Sequence, residues 1–165
     1  MTLERVSSES SNENPAGSVT LASFEVPSQA GNELQAAEKV AALATQLGLP
    51  EQICERIKTA VAETTMNAIE HGNHFRAEIP VLIWVGKRQE KLIIRVSDQG
   101  GAYAFPESEI PDLDAKLAGL QSPRGWGLFL VKNMVDEVHQ QTDGNLNTVE
   151  LVLRVGGVSD GFDAI

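Results

Sequence analysis

Residues 59–74 read TAVAETTMNAIEHGNH, and the rest of the chain is organised around this stretch. A helix turns about 100° per residue, so Asn67 lies only about 40° round from Glu63, and carboxylate and amide stack along one helix edge. Ile53, Ile57, Ala60, Val61, Thr64 and Ala68 fall roughly 60° to 160° round from the same origin. An apolar stripe therefore runs beside a polar edge, the layout of a core helix that presents two functional groups at the rim of a pocket. Helical phase alone does not choose between carboxylates, because Glu70 falls about 20° from Glu63 by the same rotation.

Towards the N-terminus, Pro50 opens this helix and Glu51 occupies its first turn, where the helix dipole favours a carboxylate; Gly72 marks its far end. The spacing of Leu34, Ala37, Val40, Ala41, Ala44 and Leu47 predicts an earlier helix over residues 28–47, stopped by Gly48. Val19, Leu21, Phe24 and Val26 form an extended run closed by Pro27 and predict a first strand. Residues 1–18 are polar, contain Pro15 and Gly17 and show no periodicity, so they are expected to be a disordered lead-in.

Towards the C-terminus, residues 80–87 and 91–97 are rich in Val, Ile and Leu and predict a hairpin joined by the polar stretch 86–90. Its second strand runs into Asp98-Gln99-Gly100-Gly101, placing an acidic side chain where a strand stops. A connection of more than twenty residues follows, with Pro106, Pro111 and Pro123 and at most a short helical piece near residues 113–120; a loop of that length in a compact domain suits a lid. Arg124-Gly125-Trp126-Gly127 then feeds LFLVKNMVDEV, where Leu128, Val131, Met134 and Val135 predict a largely buried helix. A glycine-rich turn entering a helix N-terminus can cradle phosphate, because free backbone amides and the dipole point outward there. Residues 136–142 and 148–155 predict a closing hairpin about Asp143-Gly144-Asn145, and residues 156–165 a flexible acidic tail. Residues 19–155 are thus expected to form one domain.

Length and composition bound the function. The 165 residues suffice for a core without staples. The single cysteine, Cys54, forms no internal disulfide and lies on the apolar flank of the central helix, which predicts a packed thiol in a reducing compartment. The net charge of -10 argues against nucleic acid as a partner, since phosphate-backbone recognition needs a basic patch. No apolar run is long enough to span a bilayer and the polar N-terminus is not a secretory signal, so a cytoplasmic protein is expected. His71 and His74 have no cysteine or carboxylate following at a zinc-like spacing, and His139 stands alone in a predicted strand; a protein-ligated metal cluster is not expected.

Glu63-x-x-x-Asn67-Ala68 on a helix, Asp98-x-Gly100 at a strand end, a long lid and Gly125-x-Gly127-Leu128 at a helix start resemble, in content and order, the nucleotide-binding boxes of the GHKL ATPase superfamily. Within it, NAIEHGN and RGWGLFLVKNMVDEV resemble the anti-sigma factor serine/threonine kinases, over residues 24–154. The resemblance implies a two-layer α/β sandwich of the Bergerat type, with a mixed, mostly antiparallel sheet, three helices on one face and an ATP lid. It selects Glu63 over Glu70, since the family's glutamate precedes its asparagine by four residues. It further implies that Glu63 is the general base, that Asn67 ligates Mg²⁺ on the phosphates of ATP, and that Asp98 accepts a hydrogen bond from the adenine amino group. Gly100 would admit the backbone to the base, Gly125, Gly127 and Leu128 would form the phosphate cradle, and Arg124 would contact the γ-phosphate. The implied partners are a STAS-domain anti-anti-sigma protein as substrate and a sigma factor, with a homodimer expected.

The chain departs from the family at Ala102, which stands where the first glycine box often has its second glycine, at the hinge of the lid. Sensor histidine kinases share the boxes but carry a phosphorylatable histidine ahead of them, and no histidine precedes Glu51. Gyrase and chaperone members are far longer. Two rival functions stay open at this level: a module that binds ATP only to sequester a partner, and a kinase whose output is not transcriptional.

Overall fold

The computed structural model describes residues 17–101 and 127–156. The lead-in and the tail, apart from residues 17, 18 and 156, lie outside the described residues, as do the lid, Arg124 and Gly125.

Strand β1 (Val19–Val26) is followed by helices α1 (Asn32–Gln46) and α2 (Glu51–Asn67), a π-helical turn (Ala68–Gly72), strands β2 (Val81–Arg88) and β3 (Lys91–Asp98), helix α3 (Gly127–Met134), and strands β4 (Glu137–Asp143) and β5 (Leu146–Arg154). The strands form one sheet in the order β1-β2-β3-β5-β4. Every pairing among the described strands is antiparallel, so the sheet is uniform where a mixed one was expected.

Period-two patterning sorts the sheet into two faces. Val85, Ile94 and Leu151 stand in register across β2, β3 and β5 and are fully buried against the helices. Ala36, Ala37, Val40 and Ala44 of α1, Ile57, Ala60 and Val61 of α2, and Val131 of α3 complete that core. The described helices therefore cover one face, giving the two-layer sandwich. On the other face Arg95 pairs with Glu150 at 2.8 Å and lies over the Trp84 ring.

The helix boundaries follow local chemistry. Gly48, with φ 80°, ends α1: its N–H bonds to the Thr45 carbonyl and the Leu49 N–H reaches the Ala44 carbonyl, a Schellman closure. The start of α1 differs from the sequence expectation. Residues 28–31 stay outside the helix because Ser28 is fully buried, with its hydroxyl on the Ile79 carbonyl, and Leu34 is left exposed. Cys54 is buried as expected, its thiol 3.6 Å from the Leu49 carbonyl.

The β2–β3 connection is shorter than read from sequence. Gly86, Lys87 and Arg88 remain paired with β3, and only Gln89 and Glu90 turn, Gln89 with φ 52° as a tight hairpin requires. Helix α3 stops at Met134 because the Asp136 N–H turns to the Val152 carbonyl and the Asp136 carboxylate accepts the Arg154 N–H at 2.7 Å.

Candidate functional site

The central helix behaves as its sequence requires up to Asn67 and then changes. From Ala68 the backbone bonds five residues back, as in the Asn73 N–H to Ala68 carbonyl contact of 2.8 Å. Turns of this kind recur at functional sites, and here the turn has a direct consequence for the two carboxylates. Glu63 lies in regular α-helix one turn from Asn67, whereas Glu70 lies in the π turn, where the α-helical phase no longer applies. Glu63 and Asn67 are both half-buried. Neither side chain has a hydrogen-bond partner among the described residues, while Glu70 is already engaged with a neighbour.

The apolar flank fits the sequence reading. Ile57, Ala60, Val61, Thr64 and Ala68 are buried and Ile53 is packed against the core. The Thr64 and Thr65 hydroxyls are buried without a hydrogen-bond partner among the described residues.

Asp98 closes β3 and is 1% exposed. Its parity along the strand points it to the helix side, in line with Ile94 and Val96. One carboxylate oxygen accepts the Gly100 N–H at 2.9 Å, and the other accepts Nδ2 of Asn147 at 3.2 Å. Asn147 stands opposite Asp98 on β5 and is fully buried; its Oδ1 accepts from Gln140 Nε2 at 3.0 Å and Thr142 Oγ1 at 3.3 Å. A chain of amides thus fixes the carboxylate from the sheet side.

Glycines bring the Asp98 loop against the end of the central helix. A Cβ on Gly72 would lie 2.2 Å from Asp98 Cγ, so the carboxylate packs directly on the π turn. A Cβ on Gly100 would lie 2.2 Å from the Gly72 carbonyl oxygen. The close approach that demands glycine at position 100 is thus between backbone and backbone within the protein. Gly101, with φ 71°, donates its N–H to the Asn145 carbonyl at 2.9 Å.

Of the residues singled out from sequence, the fold brings Asp98 and Gly100 against Gly72 at the end of the helix that carries Glu63 and Asn67. Helix α3 packs on α2 and begins at Gly127, with Leu128 as its second residue. Arg124 and Gly125 lie outside the described residues. His74 is exposed with φ 51°, and no group of three or more potential metal-ligating side chains occurs among the described residues. Sequence reasoning missed Gly72, Asn73 and Asn147. For Asn147 a signal exists in retrospect: with the β3–β5 register in hand, it is the inward-facing residue opposite Asp98.

A buried carboxylate with both oxygens held by donors, packed on the end of a helix whose Glu63 carboxylate and Asn67 amide have no partner among the described residues, offers acceptors for an amino-bearing heterocycle and ligands for a hydrated cation on phosphates. None of the described helices is long and apolar enough to cross a membrane.

Comparison with known proteins places the chain. Residues 26–153 match the family described as the histidine kinase-like ATPase domain. The serine-protein kinase RsbW of Bacillus velezensis is 26% identical over 118 residues, covering 70% of this chain and 73% of that protein. The anti-sigma F factor of Bacillus thuringiensis is 31% identical over 118 residues, covering 71% of this chain and 80% of its own. The crystal structure of the RsbU and RsbW domains of Rv1364c from Mycobacterium tuberculosis aligns with a TM-score of 0.59 at 15% identity, over 86% of this chain and 32% of that one. That likeness is one of fold, and this chain spans about a third of that protein's length.

Proposed function

The chain belongs to the histidine kinase-like ATPase domain family, and from that premise we propose that it is a cytoplasmic anti-sigma factor kinase. It binds Mg-ATP, phosphorylates a serine or threonine of a STAS-domain anti-anti-sigma protein, and regulates a sigma factor by exchanging one partner for the other. The observation that carries this reading is the pairing of two sites at one helix end: the Glu63–Asn67 edge of α2 and the Asp98 carboxylate packed on Gly72. The names of the relatives from Bacillus velezensis and Bacillus thuringiensis support the choice of kinase and of sigma factor.

Each residue has a chemical task. Asp98 accepts the adenine amino N–H, and guanine, with an oxygen at that position, meets acceptor with acceptor. Asn67 supplies a neutral oxygen to Mg²⁺, which keeps most of its waters and needs few protein ligands; the bound ion neutralises phosphate charge. Gly127, the first residue of α3, and Gly125, two residues earlier in sequence, hold phosphate oxygens on backbone N–H groups, Leu128 adds the next amide, and Arg124 pairs with the γ-phosphate. Glu63 accepts the proton of the incoming serine hydroxyl as its oxygen bonds to the γ-phosphorus and the bond to the β-phosphate oxygen breaks. The donor set fits a weakly protein-bound Mg²⁺ and not a multidentate metal centre.

Glu63→Gln tests the catalytic assignment, because it keeps the shape of the side chain and removes the base. Transfer of label from γ-labelled ATP to a STAS-domain substrate is expected to fall by roughly 10²–10⁴-fold, the usual contribution of a general base. ATP affinity measured by calorimetry is expected to change less than about threefold, since the carboxylate acts on the hydroxyl and not on the nucleotide. Equal transfer by the variant would remove Glu63 from the chemistry. Tight ATP binding without transfer by the parent protein would leave a sequestration module.

A further inference from the structure

Asn73 caps the π turn, is 2% exposed, and joins the turn to the entrance of β2 and to two segments distant in sequence, at Ser28 and Gln99. Its Nδ2 donates to Ser28 Oγ at 2.9 Å and lies 3.2 Å and 3.3 Å from the carbonyls of Ile79 and Pro80. Its Oδ1 accepts the Gln99 N–H at 2.9 Å. Ser28 is satisfied in turn by the Ile79 carbonyl.

The Gln99 N–H belongs to the peptide that leaves Asp98. One residue later the Gly100 N–H bonds back to the Asp98 carboxylate. The loop is therefore pinned at two consecutive amides, one by Asp98 itself and one by a residue attached to the helix. Asn73 is the covalent end of the turn that continues α2, so the bond to Gln99 ties the loop holding Asp98 to the element holding Glu63 and Asn67.

We propose that Asn73 is a positioning residue for nucleotide recognition: its buried side-chain amide fixes the Asp98 loop relative to α2, so that the base-accepting carboxylate and the phosphate-facing helix edge keep one separation. The inference rests on the ATP-binding reading above. Asn73 touches no nucleotide; it acts through the Gln99 peptide. The chemistry requires an amide, because the oxygen must accept from Gln99 while the nitrogen donates to Ser28 and the β2 entrance. Aspartate would keep the first contact and lose the second, alanine would lose both, and Ser28→Ala would disturb only the side away from the loop.

The test measures ATP and GTP affinity by titration calorimetry for the parent, Asn73→Ala, Asn73→Asp and Ser28→Ala, each first shown to be folded by circular dichroism. The selectivity ratio is the decisive readout, because loss of stability alone weakens both nucleotides together. Asn73→Ala is expected to weaken ATP by at least about tenfold, as for an orphaned buried donor, and to reduce the ATP-to-GTP ratio by a similar factor. Asn73→Asp and Ser28→Ala are expected to melt earlier and to keep the parent's ratio within about threefold. A folded Asn73→Ala with the parent's ratio, or an Asn73→Asp that loses the ratio as Asn73→Ala does, would overturn the proposal. If Asn73→Ala does not fold, Asn73→Asp decides; if neither folds, Asn73 serves the stability of the domain and the proposal is overturned. A parent protein that binds no ATP would overturn the nucleotide reading itself, an outcome distinct from parental binding that Asn73→Ala leaves unchanged.

Discussion

Gly100→Ala is expected to weaken ATP binding by at least about a hundredfold, the equivalent of roughly 3 kcal/mol. The new Cβ would lie 2.2 Å from the Gly72 carbonyl oxygen and 2.7 Å from both the Gly72 carbonyl carbon and its Cα. All three are backbone atoms of the π turn, so no side chain can swing aside to make room. The loop must move off the helix end instead, which strains the bond from the Gly100 N–H to Asp98 and the bond from the Gln99 N–H to Asn73. Overpacking of this kind costs typically 1–3 kcal/mol of stability, roughly, and here the displaced group is the one assigned to the base. Titration calorimetry with ATP, beside a thermal melt, measures the two effects separately. An alanine variant that binds ATP as the parent does would show that the close approach of Gly100 to Gly72 has no part in the site.

Asp98→Asn is expected to lose ATP binding to a comparable extent and to melt roughly 2–12 °C earlier, from about 1–3 kcal/mol of lost stability. The carboxylate accepts on both sides, from the Gly100 N–H and from Asn147 Nδ2. An asparagine amide has one oxygen and one nitrogen, so in either orientation an N–H faces another N–H. Turning Asn147 over to relieve the clash would face its Nδ2 with the Gln140 amide and the Thr142 hydroxyl, both of which would have to reorient in turn. The group is buried, so the mismatch costs more than it would at the surface. The same substitution offers the adenine amino group a donor where it needs an acceptor. Differential scanning calorimetry with and without ATP separates these two losses: the parent's melting temperature is expected to rise with ATP and the variant's to stay fixed.

The parts of this molecule legible in the sequence are those governed by local periodicity. The extended apolar run of β1, the Val, Ile and Leu content of the β2–β3 pair, the helical spacing in α1, and the stripe from Ile57 to Ala68 all produced the elements they predicted, because each packs against a single core. The edge bearing Glu63 and Asn67 was legible for the same reason. The π turn was not: the five-back bonding at Ala68 depends on Asn73 being drawn to Ser28 and Gln99, contacts 45 and 26 residues away in sequence. Asn147 escaped notice likewise, since a polar residue beside a hairpin turn looks solvated until the β3–β5 register sets it opposite Asp98. Gly72 read as a helix end and Gly100 as an opening for the base, yet the contacts that demand them are Asp98 against Gly72 and the Gly72 backbone against Gly100, which no local pattern records. The exposure of Leu34 has a related cause, because tertiary burial of Ser28 delays the start of α1.

The most direct test of the account is a crystal structure of the protein with Mg²⁺ and a non-hydrolysable ATP analogue. The account predicts the adenine amino nitrogen at about 2.9 Å from an Asp98 carboxylate oxygen, a normal N–H to oxygen distance, with the Asn67 side-chain oxygen in the magnesium shell. A base seated away from Asp98, or phosphates bound with Asn67 and Glu63 facing elsewhere, would contradict it.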